Sequence, residues 1–89
     1  MALHTSHSDI VRRLKRAEGH LRSIVGMIEE GRECLDIAQQ LQAVENAIAN
    51  SKRVLVHDHI DHCLELAVTN DAREAKSAIR GFKAITKYL

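Results

Sequence analysis

The stretch CLDIAQQLQAVENAIANSKRVLVHDHIDHCLELAV, residues 34–68, holds neither Gly nor Pro, and the first turn cluster after it is Thr69-Asn70-Asp71. Without a breaker it predicts one helix of about 34 residues, on the order of 50 Å long at about 1.5 Å per residue. A 10.0 kDa chain cannot cover such a helix alone. Its early apolar positions Ile37, Leu41, Val44, Ile48 and Leu55 are expected to pack against a preceding helix and then against another copy of the chain.

Working outward, Ile10, Leu14, Ala17, Leu21, Ile24 and Ile28 recur at alternating spacings of four and three, which draws a narrow apolar stripe down a first helix. Ser6 with Asp9, or Ser8 alone, is expected to cap its start, and Gly31 to end it. On the other side, Asp71 with Glu74 predicts a capping box for a third, shorter helix with apolar positions Ala75, Ile79, Phe82, Ile85 and Leu89. The expected fold is therefore all-α, with three helices in a single domain spanning residues 1–89 and residues 1–7 as a flexible tail.

Composition narrows the function. Aromatic residues make up 2% of the 89-residue chain, too few to build the stacking platforms of RRM-like or OB-like RNA readers. No run approaches the roughly 18 apolar residues of a membrane span, so no membrane partner is expected. The N-terminus lacks the basic-then-apolar order of a secretory signal, and two Cys are too few for a disulfide scaffold. A reducing cytoplasm is the expected compartment.

The chemistry gathers at His57-Asp58-His59-Ile60-Asp61-His62-Cys63, where three His, two Asp and one Cys occupy seven residues. His59 and Cys63 stand at i, i+4 and His59 and His62 at i, i+3, so either pair projects two donor atoms from one helix face. Two donors make a weak site. The other Cys, Cys34, lies 25 residues before His59 on the same predicted helix, roughly 37 Å away. That separation excludes an intramolecular disulfide and a shared ion within one chain. In an antiparallel association of two second helices, the head of one lies beside the tail of the other and the residues can meet.

The formal net charge of +1 conceals an uneven distribution. Residues 1–28 carry five Lys or Arg and two acids, residues 29–71 carry three and nine, and residues 72–89 carry five and one. Basic ends around an acidic middle let a near-neutral protein present a basic face to a polyanion.

The run Cys34-Leu35-Asp36-Ile37-Ala38-Gln39-Gln40-Leu41-Gln42-Ala43-Val44, followed by His59 and Cys63, resembles the CsoR/RcnR family of metal-sensing repressors. So does the basic opening Arg12-Arg13-Leu14-Lys15-Arg16-Ala17-Glu18-Gly19-His20, and the resemblance covers essentially the whole chain. It implies a homodimer in which the first two helices of both chains form an antiparallel four-helix bundle, with two dimers assembling into a tetramer. It further implies that Cys34 of one protomer joins His59 and Cys63 of its partner at a metal ion.

Cys-His-Cys is the family's copper pattern and suits trigonal Cu(I). Copper members are expected to carry Tyr just before the first Cys and Glu in the third helix, whereas Glu33 and Ile79 stand near those places here. His4, His7 and His62 add imidazoles that Cu(I) does not need, so Ni(II) or Co(II), which take four to six donors, is the favoured effector and Cu(I) the alternative. The nickel and cobalt branch recruits an N-terminal His; strict register from Cys34 places that ligand at Ala2, so a role for His4 or His7 requires a flexible tail. Persulfide sensors lack the middle His, and formaldehyde sensors use an N-terminal Pro that this chain lacks.

For DNA, Arg12, Arg13 and Arg16 crowd one side of the first helix, and Lys52 and Arg53 lie midway along the second. The resemblance assigns Arg13 and the basic residues near position 50 to duplex operator DNA, although Asn50 stands where copper members often carry Arg. Lys83 and Lys87 extend the basic surface. Such a face suits phosphate neutralisation and shape readout. The resulting expectation is a repressor that holds operator DNA in the metal-free form, releases it on binding metal and so derepresses a metal efflux or resistance gene. The alternative from another class is a helical metal-buffering protein without a DNA role. A nucleophilic Cys-His pair is chemically conceivable, but no Gly-rich loop or strand-turn-helix element is present to build a substrate pocket, and no enzyme is expected.

Overall fold

A computed structural model describes residues 6–89 as three α-helices and a closing turn: α1 (His7–Glu29), α2 (Cys34–Ala67), α3 (Ala72–Ile85) and a 3-10 turn at Thr86–Tyr88. No strand occurs among the described residues. The long second helix spans 34 residues, as the absence of Gly and Pro predicts. Of the residues expected to form a tail, 1–5 lie outside the described residues, Ser6 forms a turn and His7 opens α1.

The chain divides into two compact units. The unit Ser8–Lys52 contains α1 from its second residue and the first half of α2. Gly31 makes the reversal between them: it adopts φ 75°, the left-handed conformation that glycine enters at no steric cost. Arg32 N donates to Met27 O at 3.0 Å and Gly31 N to Ile28 O at 3.1 Å, the paired bonds of a Schellman motif that satisfy the carbonyls at the helix end. His20 Nε2 and Gln40 Oε1 share a hydrogen bond of 2.6 Å between α1 and α2.

The apolar stripe of α1 divides by heptad position. Ile10, Ala17 and Ile24 are buried, as is Val44 of α2, whereas Leu14, Leu21 and Ile28 remain exposed, joined by Val11 and Val25. On α2, Leu41 and Ile48 are exposed in the same unit. A single chain thus buries one edge of each stripe and leaves the other bare, a larger apolar surface than scattered surface residues produce.

The second unit contains Arg53–Leu89 together with Ser6 and His7. Val56, Cys63 and Ala78 form its buried centre. The Asp71 carboxylate accepts from Arg73 N at 3.0 Å and Glu74 N at 3.2 Å, so Asp71 caps the start of α3. The sequence pattern extends the stripe to Leu89. The α-helix instead ends at Ile85, tightens into the 3-10 turn and leaves Leu89 exposed.

Candidate metal centre

His59 and Cys63 lie one turn apart on the second half of α2, and α3 sets their surroundings. A Cβ built on Gly81 of α3 would stand 3.5 Å from Cys63 Sγ and 3.5 Å from His59 Nε2, so both donor atoms border one point beneath the α3 backbone. Cys63 is buried at 4% exposure, and that burial pushes its thiol above the ordinary range. In the metal-free protein it is therefore protonated at neutral pH, and an ion that binds there must displace the proton. A thiolate with an imidazole is a donor set for borderline or soft ions rather than for calcium or magnesium. The pair fits half of a transition-metal site.

The other expected ligands are distributed differently. Cys34, exposed, is the first residue of α2 and belongs to the Ser8–Lys52 unit. His62 is half-buried on the same helix as the pair. His7 opens α1, while His4 lies outside the described residues. Among the described residues no group of three or more His, Cys, Asp or Glu gathers closely enough to hold an ion. Ser6 reaches the donor-rich stretch: its Oγ donates to Asp58 Oδ2 at 2.8 Å, immediately before His59. Ser6 also has the chemistry of a helix cap, and a bond between residues 52 positions apart leaves no local signal.

The basic residues sort by unit as well. Arg13 and Arg16, with Ala17, His20, Ala47 and Asn50, line an open cleft of about 220 Å³ within Ser8–Lys52. Arg12 and Arg13 are exposed but engaged: Arg13 Nε donates to Asp9 Oδ2 at 2.7 Å and Arg12 Nη2 to Asp9 Oδ1 at 3.3 Å. The hydrogen bond from Arg13, with charge attraction from both guanidinium groups, holds the Asp9 carboxyl below the usual carboxylate range. Lys52 is exposed at the end of this unit, and Arg53 is exposed at the start of the other. The sequence offers Asp9 two roles, capping partner and i+3, i+4 partner of two arginines, and the structure shows the second.

Comparison with known proteins places the chain among metal-responsive regulators. A model of the metal-sensitive transcriptional repressor family matches residues 6–87. The chain is 41% identical over 80 residues to the copper-sensing transcriptional repressor CsoR of Bacillus subtilis (strain 168), covering 88% of this chain and 79% of that one. It is 38% identical over 63 residues to CsoR of Mycobacterium ulcerans (strain Agy99), covering 71% of this chain and 54% of the relative, so it spans about half of that protein's length. Among solved structures, the nickel-responsive transcriptional regulator InrS superposes with a TM-score of 0.79 at 28% identity, covering 92% of this chain and 91% of that one. With a buried thiol and an imidazole facing one point and a family match across nearly its whole length, the chain belongs to the metal-sensitive transcriptional repressors, a family of regulators and not of enzymes.

Proposed function

We propose that this protein is a repressor that binds duplex operator DNA without metal and releases it when Ni(II) or Co(II) binds, derepressing a metal efflux or resistance gene. The observation that carries the metal half is the convergence of Cys63 Sγ and His59 Nε2 on one point. Cys34 of a partner protomer completes the thiolate set, and His62, His7 or His4 supplies further imidazole; the bond from Ser6 to Asp58 supports recruitment of the N-terminal His. Exposed Leu14, Leu21, Ile28, Leu41 and Ile48 support self-association into a dimer and then a tetramer, with both units serving one sensing domain. Arg12, Arg13, Arg16, Lys52 and Arg53 neutralise DNA phosphates.

When bound, the ion links donors from two protomers and thereby favours one arrangement of the assembly. It lowers DNA affinity only by the difference between its affinities for the two arrangements. A cytoplasmic setting follows from this role, and no helix of the described residues is long and apolar enough to cross a membrane. Similarity to the copper-sensing relative of Bacillus subtilis favours Cu(I) as the second reading. Fluorescence anisotropy on the DNA upstream of the protein's own gene tests both. Release by Ni(II) or Co(II) is expected; release by Cu(I) alone transfers the assignment to copper, and absence of DNA binding leaves a metal-buffering role.

A further inference from the structure

Gly81 sits in the interior of α3, where nothing in the metal-free protein calls for glycine. Its backbone does not, since Gly31 is the only described glycine with positive φ. Its packing does not either, because a Cβ at 3.5 Å from Cys63 Sγ and 3.5 Å from His59 Nε2 makes ordinary van der Waals contacts and alanine fits. Helix propensity argues against it, glycine being the poorest helix former after proline. The helical glycines of α1 differ: a Cβ on Gly19 or Gly26 meets nothing within 4 Å. What Gly81 alone supplies is an unfilled volume the size of a methyl group, bordered by the two donor atoms of the proposed centre.

Resting on the reading of His59 and Cys63 as ligands, we propose that Gly81 is a specificity-determining residue: by withholding a side chain it keeps room beside the ligand pair for one additional small donor, a water. Nickel and cobalt use such donors and trigonal Cu(I) does not. A methyl group at this position closes that room while making only ordinary van der Waals contact with the thiol and the imidazole. The residue therefore sets how many donors an ion can gather here, and acts as a positioning residue through space that it leaves open.

The test compares the full-length wild type with Gly81→Ala, and uses Gly26→Ala as a control that gains the same helix propensity away from the site. Co(II) alone is the first probe, read by visible absorption, and Cu(I) the second, read by competition with a chelator. Gly81→Ala is expected to weaken Co(II) binding by about 10- to 100-fold, the range for changes just outside a ligand shell, or to convert weak high-coordinate bands into intense tetrahedral ones. Cu(I) affinity should hold within a few-fold, and Gly26→Ala should match the wild type for both ions. An unchanged Co(II) spectrum and affinity in Gly81→Ala, an equal loss of both ions, or a variant whose circular dichroism shows it unfolded each overturns the proposal. Full metal binding by His59→Ala and Cys63→Ala proteins overturns the underlying ligand assignment instead, so the two failures are distinguishable.

Discussion

The two halves of α2 are put to opposite uses. In the unit Ser8–Lys52 the helix stands beside α1, buries Val44 and exposes Leu41 and Ile48. In the unit that begins at Arg53 it buries Val56 and Cys63 and turns a thiol and an imidazole toward α3. The arginine cleft belongs to the first unit and the donor pair to the second. One continuous helix thus contributes to both the proposed surface for a polyanion and the proposed site for a cation, and, Cys34 apart, changes confined to one half should leave the other half's chemistry intact.

The largest effect should come from removing donors. His59→Ala and Cys63→Ala should weaken metal binding by more than about 100-fold, beyond the range of outer-sphere changes, while metal-free DNA binding persists. Cys34→Ala should abolish the metal response equally, although Cys34 belongs to the other unit. Anisotropy titrations with and without metal check all three, and retained metal-induced release in the Cys34 variant breaks the shared-ligand assignment. A DNA defect in the His59 variant would show that the halves are not chemically separate.

A middle-sized effect sharpens what α3 does for the donor pair. Asp71→Ala removes the acceptor of two backbone N–H groups and should cost about 1 kcal/mol of helix stability. Since α3 covers Cys63, its fraying should expose that thiol. Alkylation by iodoacetamide should accelerate at Cys63 and not at Cys34, which is already exposed. Equal acceleration at both would mean that the cap stabilises the whole chain and not the cover alone.

Much of this architecture is legible in the residues, for identifiable reasons. α2 is defined by what residues 34–68 lack, Gly31 marks the end of α1 because only glycine turns there freely, and Asp71 marks the start of α3 through a bond two and three residues away. Periodicity drew the stripe of α1 but not its division, because Ile10 and Leu14 are equivalent to a hydrophobicity pattern and differ in what faces them. The donors His59 and Cys63 were visible as an i, i+4 pair. Gly81 is not legible, because its meaning depends on a neighbouring helix, and the role of Ser6 is hidden because its partner Asp58 is distant in sequence.

The smallest expected effect concerns Asp9, where the first unit restrains its own basic face. Its carboxylate accepts from Arg12 and Arg13, two groups proposed to neutralise phosphate, so DNA competes with Asp9 for them. The pairs are exposed, where ion pairs contribute little and salt screens them. Asp9→Asn should therefore strengthen DNA binding only modestly, by about two- to fivefold at low salt, and the gain should vanish as salt rises. Because pairing lowers the Asp9 pKa, its small contribution to folding is present above the ordinary carboxylate range and is lost as pH falls through the lowered value. At neutral pH the clasp is fully formed, and acidification into that range should close the gap between Asp9→Asn and the wild type. Weaker DNA binding by the variant at neutral pH would reverse the assignment: Asp9 would then be presenting the arginines to DNA in a useful orientation, not holding them back.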